Sequence, residues 1–221
     1  MTLSWVFFDL NGTLVDPGVM GQPLGDTAAD EELAYVALDD AVMQAMVVTL
    51  TGVEADFREL LEAGLRRQIA LTGRDPDLAV PALELLGAMP AFLDAPAALE
   101  RLRAFGLRVG VLTQSAAEAA DAVLRFAGLR DRVELIVSAR ESGAFKPDPR
   151  PYRHVLDRVG ASAGEVCHVA AHWWDVAGAK RVGLRTAWVA RRDRVLPASV
   201  PEPDVVAPDL ASAAEAIVAL G

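Results

Sequence analysis

The sequence predicts an α/β fold in which helices wrap a parallel sheet and an all-helical segment is inserted after the first strand. Three observations carry that prediction. Short aromatic and β-branched runs alternate with amphipathic segments of helical length, the pattern of repeated strand–helix–strand units. Gly106, Gly128, Gly160 and Gly183 fall where those helices need C-terminal caps. Residues 16–92 show helical periodicity and little strand signal.

Residues 3–8 (LSWVFF) end in turn residues and read as a central strand. Residues 107–112, 133–137, 166–170 and 185–189 read as four more strands. Helices are expected over 95–105, 116–127, 149–159 and 175–182. In the inserted block, residues 19–29 are rich in Gly, Pro, Asp and Thr and read as a loop. Leu33, Val36 and Ala37 share one helical face, as do Val42, Met43, Met46 and Val47. Residues 56–71 form an amphipathic helix with Leu60, Leu61, Leu65 and Ile69 inward, and 78–86 form another. The expected division is therefore a core of 1–15 and 93–221, Rossmann-like in its alternation, and a helical cap of 16–92.

Composition narrows the partners. With 52% apolar residues the 221-residue chain can bury a large core. A formal net charge of -10 disfavours nucleic acid and anionic membranes but leaves a small anionic substrate open, since one local lysine and helix N-termini can outweigh the global field. The single cysteine, Cys167, excludes an intrachain disulfide and a cysteine-based zinc site. No secretory pattern opens the chain and no run of apolar residues reaches membrane-spanning length, so a cytoplasmic monomer or homodimer is expected.

In an open parallel sheet, ligands bind beyond the carboxyl ends of the strands. Those ends deliver Asp9, Asn11 and Thr13; Thr113 and Gln114; Lys146 in "FKPDPRPY"; and His172, Trp174 and Asp175. Asp9 suits a nucleophile, ionised at neutral pH. Lys146 would keep it charged and oriented. The backbone around Leu10 and Asn11, with the hydroxyls of Thr13 or Thr113, would receive an anion. Asp175 would position or deprotonate a water that cleaves an ester intermediate. Each has a plainer reading. Asp9 could serve a turn, Lys146 a solvated loop, and Asp175 a helix N-cap. His172 fits a base, a substrate contact or a packed loop residue, while His154 and His168 read as structural. Met43 and Met46 suit packing, Asp30 and Glu32 a solvated helix start, and Arg191, Arg192 and Arg194 a surface cluster.

These segments, in this order, resemble the haloacid dehalogenase superfamily. "DLNGT" is similar to its first motif, "VLTQS" to its second, Lys146 to its third, and the stretch from "VAAHWWD" onward to its fourth. The resemblance implies a hydrolase working through an aspartyl ester on Asp9, with the helical block as cap. It is nearest to type II 2-haloacid dehalogenases, which share "KPDP-x-x-Tyr", here Lys146 to Tyr152, and "Trp-Asp-x-x-Gly-Ala", here Trp174 to Ala179. That branch implies hydrolytic carbon–halide cleavage and no metal, with Thr113 beside the substrate carboxylate.

The departures are informative. Superfamily phosphatases carry a second acid where Asn11 stands, and Asn cannot shuttle a proton. They carry a metal-binding Asp where Ala170 stands, and a methyl group cannot ligate Mg²⁺. No cofactor is therefore expected, and Mg²⁺ is disfavoured. The dehalogenases place an Arg early in the cap where this chain has Leu38, and residues 29–50 hold no Lys or Arg. A small-molecule phosphatase with an altered Mg²⁺ site, or a low-turnover binding protein on the same fold, are the alternatives.

Overall fold

The computed structural model describes residues 2–220. Six parallel strands form one sheet in the order β3-β2-β1-β4-β5-β6. They are β1 (Trp5–Phe8), β2 (Arg108–Thr113), β3 (Leu135–Ser138), β4 (Val166–Ala170), β5 (Arg185–Val189) and β6 (Val205–Ala207). β1 lies between β2 and β4, with Phe8 opposite Val111 on one side and Val169 on the other. That register sets Asp9, Leu112 and Ala170 at one edge of the sheet. The amide of Asp9 continues the ladder by donating to the Val169 carbonyl at 3.0 Å.

Both faces of the sheet are covered, which is why its strands read as unbroken apolar runs. Val6, Phe8, Val109 and Val111 pack under helices α4 (Ala95–Ala104), α5 (Ala117–Phe126) and α8 (Leu210–Leu220). Trp5, Phe7 and Leu112 face the other way, against α6 (Pro149–Val159) and α7 (Trp173–Val182). The alternation along β1 is the period of two that a strand imposes.

A second core belongs to the helical block. Its helices are α1 (Ala28–Thr51), α2 (Phe57–Leu71) and the short α3 (Ala79–Glu84). Leu33, Ala37, Ala41 and Ala45 of α1 meet Leu61, Leu65 and Ile69 of α2. Small residues on α1 let the two helices approach closely. Gly64 completes that contact: a Cβ there would lie 2.6 Å from the Ala37 carbonyl oxygen. α1 and α2 each start with a capping box, Thr27 with Asp30 and Asp56 with Glu59. Asp30 is buried rather than solvated and takes Arg74 at 2.5 Å.

Several expectations change here. Residues Pro17–Leu24, overlapping the start of the loop expected over 19–29, form a 3-10 segment. α1 is one continuous helix whose residues Val42 and Ala45 turn inward, while Met43 and Val47 are 65% and 53% exposed. By length and composition α1 resembles a membrane-spanning helix, but its inner face is packed on α2. The expected helix over 78–86 is broken, with 3-10 turns at Pro76–Leu78 and Leu85–Ala88 around α3. α7 begins at Trp173, so Asp175 lies inside its first turn and is no N-cap. β6 and α8 add an edge strand and a covering helix that were not expected.

Gly64→Ala should force α1 and α2 apart and lower the unfolding free energy by about 1–3 kcal/mol, read from urea denaturation. Unchanged stability would mean that the two helices do not need this close approach.

Candidate active site

Three charged side chains from separate segments meet at the carboxyl edge of the sheet. Asp9 follows β1, Lys146 lies in the loop before α6, and Asp175 sits in the first turn of α7. The Lys146 ammonium donates to Asp9 Oδ1 at 2.8 Å, to Asp175 Oδ2 at 2.6 Å and to the Leu112 carbonyl at 3.0 Å. An ammonium has three protons, and all three are engaged. Lys146 and Asp175 are fully buried, and Asp9 is 5% exposed.

The surroundings fix each member. The Thr13 hydroxyl donates to Asp9 Oδ2 at 2.9 Å and accepts from the Ala171 amide at 3.0 Å. The Gln114 side chain clamps the Lys146 backbone, donating to its carbonyl and accepting from its amide, both at 2.9 Å. The Tyr152 hydroxyl donates to Asp175 Oδ1 at 2.6 Å. Gly178 leaves room for that phenol, since a Cβ there would stand 2.6 Å from its oxygen.

Electrostatics follow from this geometry. Burial pushes the Lys146 ammonium towards neutrality, but Asp175 and Asp9 outweigh it and raise its pKa above the ordinary value. Burial likewise pushes the Asp175 carboxyl up, yet the His168 imidazole 2.9 Å away and the hydrogen-bonded Lys146 ammonium prevail and hold it well below the usual carboxylate range. Tyr152 is raised well above its ordinary pKa, first by burial and then by Asp175, so it stays a donor.

A cavity of only about 10 Å³, enough for roughly one water, opens onto Asp9. Asp9, Asn11, Thr113, Gln114, His172 and Trp174 line it from the core, and Leu38, Val42 and Phe57 from the helices above. Thr13 and Tyr152, expected at the substrate, instead support Asp9 and Asp175 from behind the wall. Leu10 is likewise buried, packed in the core beneath the sheet edge. Asp175 does not line the cavity either. Met43, with its side chain turned outward, takes no part, whereas Phe57 is a wall that periodicity alone marks only as an apolar helix start.

His172 and Trp174 stack, with ring centroids 5.3 Å apart and planes 16° from parallel. His172 Nε2 stands 2.9 Å from the Asn11 carbonyl oxygen and 3.6 Å from Asp9 Oδ2. His172 also borders a cavity of about 230 Å³ that reaches Tyr35, Phe92, Arg191 and Arg192. Those arginines are already paired: Arg191 with Asp94, and Arg192 with Glu32 and Asp39. Arg191 is no free surface residue, since its guanidinium stacks 3.9 Å from the Phe92 ring and also donates to the Thr13 carbonyl at 3.2 Å.

A divalent cation does not fit these residues. The Asn11 carbonyl and Asp9 Oδ2 both face the imidazole of His172, and Ala170, packed against Val176 and Trp188, brings no side-chain oxygen. Hard cations require several oxygen ligands, and here Asp9 Oδ1 already accepts from Lys146, Oδ2 accepts from the Thr13 hydroxyl, and the Asn11 carbonyl faces His172.

A carboxylate at the end of the central parallel strand, an ammonium held on it, and a helical block above define a hydrolase of the α/β class. Residues 3–183 match the haloacid dehalogenase-like hydrolase family, and the chain belongs to it. It is 31% identical to (S)-2-haloacid dehalogenase 4A of Burkholderia cepacia, over 84% of this chain and 82% of that one. It is 33% identical to phosphoglycolate phosphatase of Rhodospirillum rubrum, over 81% and 76% respectively. A crystal structure of a dehalogenase superposes with a TM-score of 0.88 at 26% identity, covering 96% of this chain and 95% of that one.

Lys146→Met should leave two buried carboxylates without their shared cation and cost about 3–5 kcal/mol of stability. The depressed carboxyl of Asp175 sets a second expectation. Its contribution is fully present above its ordinary pKa of 3.8 and declines as pH falls towards the folded value. Urea midpoints measured from about pH 6 to pH 2 should therefore fall more steeply below about pH 4 for the wild type than for Asp175→Asn. Parallel curves would count against the assignment.

Proposed function

We propose that this hydrolase cleaves the carbon–halogen bond of a small 2-haloalkanoate through an ester on Asp9. An oxygen of the Asp9 carboxylate attacks the carbon bearing the halogen, the new C–O bond replaces the C–X bond, and halide leaves with its electron pair. Water then adds to the ester carbonyl, which is the Asp9 carboxyl carbon, returning the carboxylate and releasing the 2-hydroxy acid and one proton.

The observation that carries this reading is the pairing of Asp9 with Lys146 in a site whose oxygens do not suit a metal ion. Direct displacement at carbon needs no Lewis acid, whereas phosphoryl transfer gains from one. Lys146 keeps the attacking carboxylate aligned, and Thr113, Gln114 and the backbone near Asn11 receive the substrate's own carboxylate. Asp175 anchors Lys146; its two oxygens are taken by Lys146 and Tyr152 and it does not line the cavity, so its part is orientation rather than removal of a proton from water.

Residues 16–92 act as the cap over a core of 1–15 and 93–221. The narrow cavity beneath Leu38, Val42 and Phe57 holds about one water, so even a small 2-haloalkanoate is admitted only when those walls part. The partner is this small acid and neither nucleic acid nor membrane, consistent with the net charge of -10. Exposed Met43, Val47 and Leu50 on α1 favour a homodimer over a monomer. A free, buried Cys167 accords with a cytoplasmic setting.

Purified protein should release halide from 2-chloro- or 2-bromo-acids at a rate unchanged by EDTA. Asp9→Asn should lower that rate by more than about a thousandfold, and mass spectrometry after a brief substrate pulse should find the adduct on Asp9. Phosphate release that requires Mg²⁺, with no halide release, would overturn the proposal.

A further inference from the structure

His168 lies in the middle of β4 and is fully buried, yet the proposed reaction gives it nothing to do. Its neighbours in the ladder are Phe7 on β1 and Thr186 on β5. Other positions on this face of the sheet, Phe7, Leu112 and Val137, are apolar. An imidazole here is costly unless one of its nitrogens finds a polar partner.

One partner is within reach. His168 Nε2 is 2.9 Å from Asp175 Oδ1, the oxygen that also receives the Tyr152 hydroxyl at 2.6 Å. The nitrogen stands off the line of an aligned hydrogen bond, and neither ring nitrogen has an aligned partner among the described residues. Thr186 does not compete, because its hydroxyl and amide go to Asp204. The ring is held in place by an edge-on contact with Tyr152, centroids 5.6 Å apart and planes at 78°. An ionised carboxylate only accepts hydrogen bonds. A nitrogen this close to it is attracted only if it carries a proton.

Resting on the Asp9 reading above, we propose that His168 is a positioning residue whose Nε2–H donates to Asp175 Oδ1. With Tyr152 it stops the carboxylate from swivelling, so that Oδ2 keeps the Lys146 ammonium on Asp9. His168 touches neither the cavity nor substrate and acts only through Asp175. Its loss should therefore slow the chemical steps while leaving substrate binding nearly intact.

The test compares His168→Phe, which keeps a ring without a nitrogen, with His168→Gln, which restores a donor. His168→Phe should keep its melting temperature within a few degrees, lose about tenfold to a hundredfold in kcat, and hold KM within about twofold. His168→Gln should recover most of the lost rate. Wild-type kcat in His168→Phe would overturn the proposal, as would equal losses in both variants. Should His168→Phe not fold, nitrogen NMR on wild-type protein with ¹⁵N-labelled histidine decides, with the three imidazoles assigned through His154→Gln and His172→Gln. A protonated Nε2 on His168 supports the proposal, and a bare Nε2 overturns it. That signal does not depend on turnover: a protonated Nε2 in a protein that releases no halide would keep the hydrogen bond and reject the reaction.

Discussion

The structure depends on one ammonium ion placed where water cannot reach it. Lys146 is fully buried, and its three protons bind Asp9, Asp175 and the Leu112 carbonyl. Removing a charge from water costs several kcal/mol, roughly, and only close, well-directed partners return it. Those partners come from β1, β2 and α7, so the ion is satisfied only when the sheet has its native register. The same requirement explains the polar groups behind the site. Two carboxylates share one ammonium, and the excess negative charge is spread over Thr13, Tyr152 and the Asp175 contact with His168. Tyr152 in turn needs the gap left by Gly178. A chain of packing constraints thus runs from a missing side chain on α7 to the orientation of the carboxylate at position 9.

Much of this was legible in the sequence because a parallel sheet has a simple rule: polar residues that follow buried strands converge on one edge. Asp9, Lys146 and Asp175 were found that way, although long stretches of chain separate them. The strands themselves stood out because burial on both faces makes them continuously apolar. What escaped was set by tertiary contact. β6 is three residues long and follows a proline-rich stretch, too brief for a periodic signal. α8 does carry one, with Leu210, Ala213, Ala214 and Ile217 on one face, so that helix is legible in the sequence. Met43 and Val47 look inward by hydrophobicity, but α1 is so rich in alanine that Ala37, Ala41 and Ala45 form the contact face instead. Periodicity placed Phe57 on a helix without revealing that it roofs a cavity. His168 read as a packed strand residue, since nothing local in the sequence connects it with an acid seven positions later.

The absence of a metal-binding geometry and the choice of reaction are linked by His172. Two oxygens that would otherwise be turned to a cation, the Asn11 carbonyl and Asp9 Oδ2, are 2.9 and 3.6 Å from its Nε2. An imidazole stacked on Trp174 is an oriented hydrogen-bond donor, and it provides far less positive charge than Mg²⁺. Such a site polarises a phosphoryl group poorly. It leaves the carboxylate at position 9 with Lys146 and the Thr13 hydroxyl as its close partners and no metal ion, and hence with electron density to give to carbon. Asn11, Ala170 and the imidazole of His172 therefore act together, and restoring one acid alone would not rebuild a cation site.

The roof of the cavity completes the electrostatic picture. Leu38, Val42 and Phe57 bring no charge to the space above Asp9, and Arg191 and Arg192, which line the neighbouring cavity beside His172, are already paired with carboxylates. A departing anion would meet Asn11, Thr113, Gln114 and the stacked His172 and Trp174 on the core side. Discrimination between leaving groups must then come from size and from the strength of the bond being broken, not from a cationic cradle. The apolar roof also has a positive effect. It leaves room for only about one water beside the Asp9 carboxylate, and a less hydrated carboxylate has less solvent to shed before it can attack carbon.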